Sequence, residues 1–397
     1  MRISFILLFV LVSMLVLAAG HYYIWIRLGR DTSLPAPWSG ALSAALVVLW
    51  LSTPVSLILL RPVQANWTRY VVWAVYVWMG MLFISVTVLA AADSIHLALV
   101  VIERLSYGKP ADPERRLLLR RFFGGAATLV SLGLAGWSTW QALGPLRVRE
   151  LTIQLARLPR ELDGFTIVQL TDVHFGKTIR RDFSERIVAK TNSLAPDLIA
   201  ITGDLVDGAV GELRDVIAPL AGLQAPHGVW FVTGNHEYFV TSDGATGADA
   251  WIDELASLGV RTLRNERVSI GNGAASFDLA GIDDWNAFGS GHGPDLHRAL
   301  AGRDDARELV LLSHQPRSIH LAAKFGVGLQ LSGHTHGGQV WPWNYLVRLQ
   351  QPYVAGLARH GSTYIYVSPG TGYWGPPMRL GTQSEITRIV LRTAACH

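Results

Sequence analysis

Hydrophobic and polar positions follow two different regimes along this chain. In the first part, apolar residues run on for helix-spanning lengths. Ile3 to Ile26, Ala41 to Leu60, Tyr70 to Ala92 and Phe122 to Leu146 are four such runs. Roughly 20 apolar residues cross the hydrocarbon core of a bilayer as a helix, so each run predicts a membrane span. Pro54, inside the second, is tolerated in such helices. After Arg147 the pattern changes to short apolar runs separated by Gly, Asp and Pro. Residues 165–170, 198–202, 229–233, 277–282, 309–313, 329–332 and 364–368 predict strands, and residues 182–194 and 248–258 predict helices between them. Strands that are apolar throughout predict a sheet covered on both faces, hence an α/β domain. The expected division is a transmembrane region over residues 1–149 and a second domain over residues 150–397.

Charge sharpens that division. Of 397 residues, 50% are hydrophobic and only 16% charged, well below the share of an ordinary soluble chain. Residues 1–149 carry 13 Lys+Arg against 5 Asp+Glu, whereas residues 150–397 carry 21 against 25. The basic surplus therefore flanks the membrane spans, and the acidic second domain offers no basic face for nucleic acid. A single cysteine, Cys396, excludes both a disulfide framework and a thiolate metal site. Arg104, Lys109, Arg115, Arg116, Arg120 and Arg121 precede the fourth span and predict a cytoplasmic loop. The second domain is then expected outside an inner (plasma) membrane, in the periplasm. Arg120-Arg121-Phe122-Phe123 also resembles a twin-arginine export signal, although it is internal and has Leu119 where Ser or Thr is usual. Asp93 and His96 are expected where the third span leaves lipid, with a proton relay as the alternative.

Chemistry concentrates just after the predicted strands. The first runs into Asp172-Val173-His174, the second into Gly203-Asp204-Leu205-Val206-Asp207, and the third into Gly234-Asn235-His236-Glu237. The strand at 309 ends at His314, and the strand at 329 runs into Gly333-His334-Thr335-His336-Gly337-Gly338. Sites in layered α/β sheets form at the carboxyl ends of strands. A strand-end Asp alone is an ordinary turn former, but imidazoles, carboxylates and an amide repeated at five strand ends form a donor set suited to Mn, Fe, Zn or Co. His334 and His336 can serve two neighbouring ions from one turn, and the adjoining glycines let the backbone bend close to them.

The ordered series DVH, GDLVD, GNHE, SH and GHTH resembles the calcineurin-like metallophosphoesterases over about residues 163–392. Residues 281–284, 375–381 and 385–387 resemble that family's membrane-associated bacterial branch, some members of which are phosphodiesterases or act on UDP-2,3-diacylglucosamine. The resemblance implies a four-layer α/β/β/α double β-sandwich holding two divalent metal ions. One ion would be bound by Asp172, His174, Asp204 and His336, and the other by Asp204, Asn235, His314 and His334, with Asp204 bridging. His236 would act on the leaving group, and Glu237 would orient its imidazole. The implied reaction is hydrolysis of phosphodiesters or phosphomonoesters by a hydroxide bridging the ions. Alternatives are a pyrophosphohydrolase of nucleotide-linked lipids and a non-catalytic membrane sensor.

Two further features bear on ligands. Residues 370–375 fit G-x-G-x-x-G, but Pro376-Pro377 follow where a dinucleotide site needs a helix, so a turn beside the metals is expected. Trp341, Trp343, Tyr345, Tyr373 and Trp374 cluster in two predicted loops near the metal motifs. Trp and Tyr favour the headgroup level of a bilayer, which makes a lipid-linked phosphoester the expected substrate.

Overall fold

Uninterrupted apolar sequence produces four long helices: α1 (Arg2–Trp25), α2 (Ala36–Pro54), α3 (Thr68–Tyr107) and α4 (Pro113–Leu143). They are seen in a computed structural model that describes residues 2–56, 63, 65–107, 112–238, 247–273, 275–290 and 292–394. The chain divides into one unit of residues 1–140 with 375–378 and another of residues 141–374 with 379–397. In the first unit the four helices are long and apolar enough to cross a membrane. Ile24, Leu46, Leu82, Leu89 and Ala127 pack among them, while many other apolar side chains face outward.

Helix limits differ from the hydrophobic limits. The third helix continues past Asp93 and His96 to Tyr107, taking Arg104 with it. The fourth starts at Pro113 and carries Arg115, Arg116, Arg120 and Arg121, four bases expected in a loop. The physical reason is that apolarity marks lipid depth, whereas a helix ends where its backbone bonding ends. Residues 93–107 contain no Gly or Pro, and Pro113 is favourable at a first helical position. The second helix begins at Ala36 and ends at Pro54; residues 57–60 of the expected span, Arg61 and Lys109 lie outside the described residues. Asp93 is ion-paired with Arg27 at 2.8 Å and accepts the Tyr23 hydroxyl. His96 stands edge-on to Phe123.

The second unit holds twelve strands among the described residues: β1 (Arg147–Leu155), β2 (Thr166–Leu170), β3 (Leu198–Ile201), β4 (Val229–Phe231), β5 (Val260–Thr262), β6 (Glu266–Asn272), β7 (Ala275–Gly281), β8 (Leu309–Leu312), β9 (Leu329–Ser332), β10 (Gly356–His360), β11 (Thr363–Val367) and β12 (Glu385–Thr393). They form two six-stranded sheets, ordered β1-β12-β2-β3-β4-β5 and β10-β11-β9-β8-β7-β6. All seven strands read from apolar runs are present. Four of the five not read, β1, β5, β6 and β10, are sheet edges, where a polar, solvent-facing side breaks the apolar run.

Alternation within the buried strands builds the layers. Ile167 of β2 and Val310 and Leu312 of β8 point into the core between the sheets. Val168 and Leu170 point the other way, toward α5 (Arg181–Asn192), α6 (Val210–Ile217) and α7 (Gly247–Ser257), through Ile187, Val216 and Leu255. Leu309 and Leu311 meet the short helices at Leu296–Ala299 and Ile319–Ala322. The result is the four-layer α/β/β/α sandwich that the sequence led us to expect. Strands β2, β3 and β4 are mutually parallel, as are β7, β8 and β9, so the carboxyl ends of each trio share one edge.

Candidate metal centre

Three strand ends from each sheet converge on one site. From the first sheet, β2 delivers Asp172 and His174, β3 delivers Asp204 and Asp207, and β4 delivers Asn235 and His236. From the second, β7 delivers Asp284, β8 delivers His314 and β9 delivers His334 and His336. Bonds across the sheets hold the two edges in register. Gln169 Nε2 donates to the Ser332 carbonyl at 3.0 Å, and the His334 N–H donates to the Asp172 carboxylate at 2.9 Å.

Among the described residues, potential ligand atoms fall into three groups. Asp172, His174 and His336 place donor atoms within 4.8 Å of one another, so do Asp204, His314 and His334, and so do His174, Asp207 and His236. In the first group His174 Nε2 and His336 Nε2 are 3.0 Å apart. In the second, His314 Nε2 lies 3.1 Å from Asp204 Oδ2, 3.2 Å from His334 Nδ1 and 3.3 Å from Asn235 Oδ1. Asp204 stands between these two groups, its Oδ2 also 3.9 Å from His174 Nε2.

The residues fit divalent cations on their own chemistry. Two imidazole nitrogens facing each other at 3.0 Å repel if both present lone pairs, and a shared cation relieves this. Burial and the neighbouring Asp204 push the Asp172 carboxyl above its ordinary range, so keeping it ionised calls for nearby positive charge. At His314, burial is outweighed by Asp204, Asp172 and Asp284, which raise the imidazole well above its usual value. Burial first, then His314, holds His334 down at about 3, and burial with His174 and Arg379 lowers His336 as well. Ligating imidazoles must be neutral. The His314 Nδ1, 2.8 Å from the Thr202 carbonyl, sets the tautomer that leaves Nε2 open to the cluster.

Backbone strain marks the same residues. Asp172, His174, Asp204, His334 and His336 all have positive φ, between 50° and 71°. Left-handed backbone is uncommon for residues other than Gly and costs of order 1–3 kcal/mol each. Close approach adds a steric condition: a Cβ on Gly234 would sit 2.2 Å from Asp204 Oδ1, and one on Gly333 would sit 2.1 Å from Asp172 Oδ2.

His236 lies beside the first two groups, its Nε2 3.9 Å from Asp204 Oδ2. Its Nδ1 meets the Asp207 carboxylate, and Asp207 Oδ2 lies 3.4 Å from His174 Nδ1. Burial lowers the His236 imidazole, but Asp204 and Asp207 outweigh it and raise it to about 9. Asp207 therefore stands where Glu237 was expected to act. The Glu237 carboxylate instead accepts the N–H groups of Gly234 at 2.6 Å, Leu205 at 2.8 Å, Asp204 at 3.1 Å and Val206 at 3.3 Å. It ties the β3 and β4 loops together. Sequence reading quoted Asp207 within GDLVD without giving it a task, although a second acid three residues after a ligand was the available signal. Arg379 is a second omission: fully buried, it donates to the carbonyls of His336 and Pro369 and joins those two loops.

Residues 370–375 form turns against the site. The Gly372 N–H donates to the Asp172 carbonyl at 3.0 Å, and no helix opens at Gly375. Of the five aromatics, Tyr373 is core. Trp341, Trp343, Tyr345 and Trp374 are exposed, and Trp374 stands edge-on to His236 with ring centroids 5.5 Å apart.

A two-sheet α/β sandwich with aspartates and histidines gathered at facing strand ends defines a metallohydrolase type of fold and site. The family model for calcineurin-like phosphoesterases matches residues 165–338. A transmembrane protein with metallophosphoesterase domain from Bos taurus is 40% identical over 295 residues, covering 71% of this chain and 65% of that protein. An uncharacterized metallophosphoesterase from Helicobacter pylori (strain J99) is 37% identical over 282 residues, covering 70% of this chain and 73% of that protein. Another from Campylobacter jejuni is 31% identical over 389 residues, covering 97% of this chain and 98% of that protein. The chain spans slightly under two thirds of the length of the Bos taurus relative and of a similarly named Danio rerio relative, at 65% and 62%. The chain belongs to the calcineurin-like metallophosphoesterase family.

Proposed function

We propose that this chain is a membrane-anchored phosphoesterase that cleaves phosphodiester or phosphomonoester bonds with two divalent cations. The observation that carries the reading is the gathering of Asp172, His174 and His336 in one group and of Asp204, His314 and His334 in another, with Asp204 Oδ2 3.9 Å from His174 Nε2 and Asn235 Oδ1 3.3 Å from His314 Nε2. Asp172, His174, Asp204 and His336 would hold one cation, and Asp204, Asn235, His314 and His334 the other. Cations held in this way lower the pKa of water and neutralise the attacking and leaving oxygens of an in-line displacement. Asp204 suits the shared position because a carboxylate offers one oxygen to each neighbour, while an imidazole cannot.

His236 then supplies a proton. Despite burial, Asp204 and Asp207 raise its imidazole to about 9, which favours a proton at neutral pH, and with Nδ1 turned to Asp207 the Nε2 would deliver it. Protonating the leaving alkoxide adds roughly 10²–10⁴-fold to the rate. Trp374, exposed beside His236, offers an apolar wall to the leaving group.

The anchor is read as residues 1–149 and the catalytic domain as residues 150–397, facing the periplasm across an inner membrane. Supporting this side are the bases in the first turns of α4, which precede its apolar stretch in the chain while residues 150–397 follow it. Exposed Trp341, Trp343 and Tyr345 support a lipid-linked substrate, since such side chains favour the bilayer interface.

The test uses detergent-solubilised protein with added Mn²⁺ and a panel of diester, monoester, pyrophosphate and micellar lipid phosphoesters. Asp204→Asn is expected to lower metal content and turnover together, and full activity with full metal in that variant would refute its bridging position. Replacing Trp341 and Trp343 by Ala is expected to lower kcat/KM for the micellar substrate far more than for a small diester. Equal losses would remove the lipid inference.

A further inference from the structure

We propose that Arg317 binds a second negative charge of the substrate beside the reacting phosphoryl group. The site would then prefer esters with two phosphates, or with a dianionic terminal phosphate, over singly charged diesters. This rests on the phosphoesterase reading above and names the substrate class of the same site.

Arg317 sits three residues after His314, in the short turn Pro316–Ser318, so it belongs to the loop that delivers a candidate ligand. Its position is built rather than incidental. The guanidinium carbon lies 4.6 Å from the centre of the Trp285 ring. That indole N–H donates to Ser318 Oγ at 3.0 Å, and Ser313 Oγ donates to the same oxygen at 2.8 Å. The Arg317 backbone N–H donates to Gln351 Oε1 at 3.1 Å. Stacking on an aromatic face leaves the N–H edge of the guanidinium available for in-plane hydrogen bonds.

What this cation lacks, among the described residues, is an ion-paired carboxylate. Among the described residues its Nε is buried without a hydrogen-bond partner. Asp284 is the acid whose field reaches it, yet both Asp284 oxygens are engaged by Gln315 Nε2 at 3.0 and 2.9 Å. Arg264 in the same domain shows the contrast, with Asp283 at 3.1 Å and Asp249 at 2.7 Å. Partly burying an unpaired guanidinium costs free energy, and a phosphate that pairs with it offsets that cost through charge-assisted bonds. The loop that carries Arg317 also carries His314, and its Gln315 holds Asp284 at the same strand-end edge.

Charge balance points to the substrate. Two divalent cations would share their charge with the carboxylates of Asp172 and Asp204 and with an attacking hydroxide, and the single negative charge of a diester matches what remains. A further fixed cation at the same rim is complementary to a substrate that brings more charge there, whether from a second phosphate or from a monoester dianion.

The experiment compares full-length wild type with Arg317→Met and Arg317→Lys, all loaded with Mn²⁺. Substrates are a nitrophenyl diester, nitrophenyl phosphate and a nucleoside diphosphate ester; pyrophosphate binding is measured by calorimetry in parallel. The Met variant is expected to lose about tenfold to a hundredfold more kcat/KM on doubly charged substrates than on the diester. The loss should appear mainly in KM, with partial recovery in the Lys variant. A loss confined to the diphosphate ester, or to nitrophenyl phosphate, identifies the source of the second charge. Equal losses on all three substrates overturn the proposal. If wild type hydrolyses neither these nor the micellar lipid phosphoesters, the phosphoesterase reading fails and pyrophosphate binding alone decides: weaker binding in Arg317→Met upholds the role, and unchanged binding ends it.

Discussion

Asp207 reaches two histidines at once, His236 through Nδ1 and His174 across 3.4 Å. It therefore couples the candidate acid to a candidate ligand, and its removal should be felt as a change in proton affinity as well as in rate. His236 is raised above the ordinary histidine value, so its proton is present at neutral pH and lost as pH rises through the raised value. Asp207→Asn deletes a nearby negative charge and lowers that value. The alkaline limb of the pH–rate profile is expected to move to lower pH, and His236→Ala should abolish that limb. In His236→Ala the rate should fall by roughly 10²–10⁴ on alkoxide leaving groups and far less on nitrophenolate, which needs no proton. An unmoved limb in Asp207→Asn, or equal losses on both leaving groups in His236→Ala, would sink the assignment. The seven ligand-type residues were legible because each follows an apolar run. Asp207 and Arg379 were not, because their tasks are defined by partners 29 and 43 positions away.

At the scale of elements, the strand ends matter more than the strands. Each ligand loop turns sharply at the sheet edge, and glycines permit the loops to touch. A Cβ at position 234 would stand 2.2 Å from Asp204 Oδ1 and 2.4 Å from Asp204 N. Since these are a ligand atom and backbone, neither can move without disturbing the centre. Gly234→Ala is expected to cost about 1–3 kcal/mol of stability and to reduce bound metal. Gly211, in the first turn of α6 with open space around it, is the control: Gly211→Ala should be neutral or slightly stabilising. Thermal melts and metal analysis of the two variants check this, and normal metal content in Gly234→Ala would show that the loops have more room than the structure gives them. The edge strands escaped sequence reading for a related reason. They carry one wet face, so their periodicity mixes charge with apolar positions, as in Glu266–Asn272.

For the whole molecule, the proposed orientation rests on the bases that precede the fourth apolar span. The bases of α4 lie on its first turns, and the chain enters β1 only four residues after that helix ends. If those bases remain cytoplasmic, one crossing delivers everything after Leu143 to the other side. A reporter fused after His397 that fluoresces only in the cytoplasm should stay dark, and a bright fusion would reverse the topology. The helix ends themselves could not be taken from hydropathy, since α3 and α4 run beyond the apolar segments while their backbone bonds continue.

Local sequence settled whatever depends on neighbours along the chain. Apolar length set the four long helices, continuous apolar runs set the buried strands, and residue type after each strand set the candidate ligands. Folding alone decided what depends on neighbours in space. It joined β2–β4 of one sheet to β8 and β9 of the other, turned five ligand-type residues into left-handed backbone, and set Asp207 rather than Glu237 against His236. It also stacked Arg317 on Trp285 with no ion-paired carboxylate among the described residues. The reason is physical: hydrophobic periodicity is a short-range property, whereas a metal centre is a balance of charge and distance among residues brought together only when both sheets have packed.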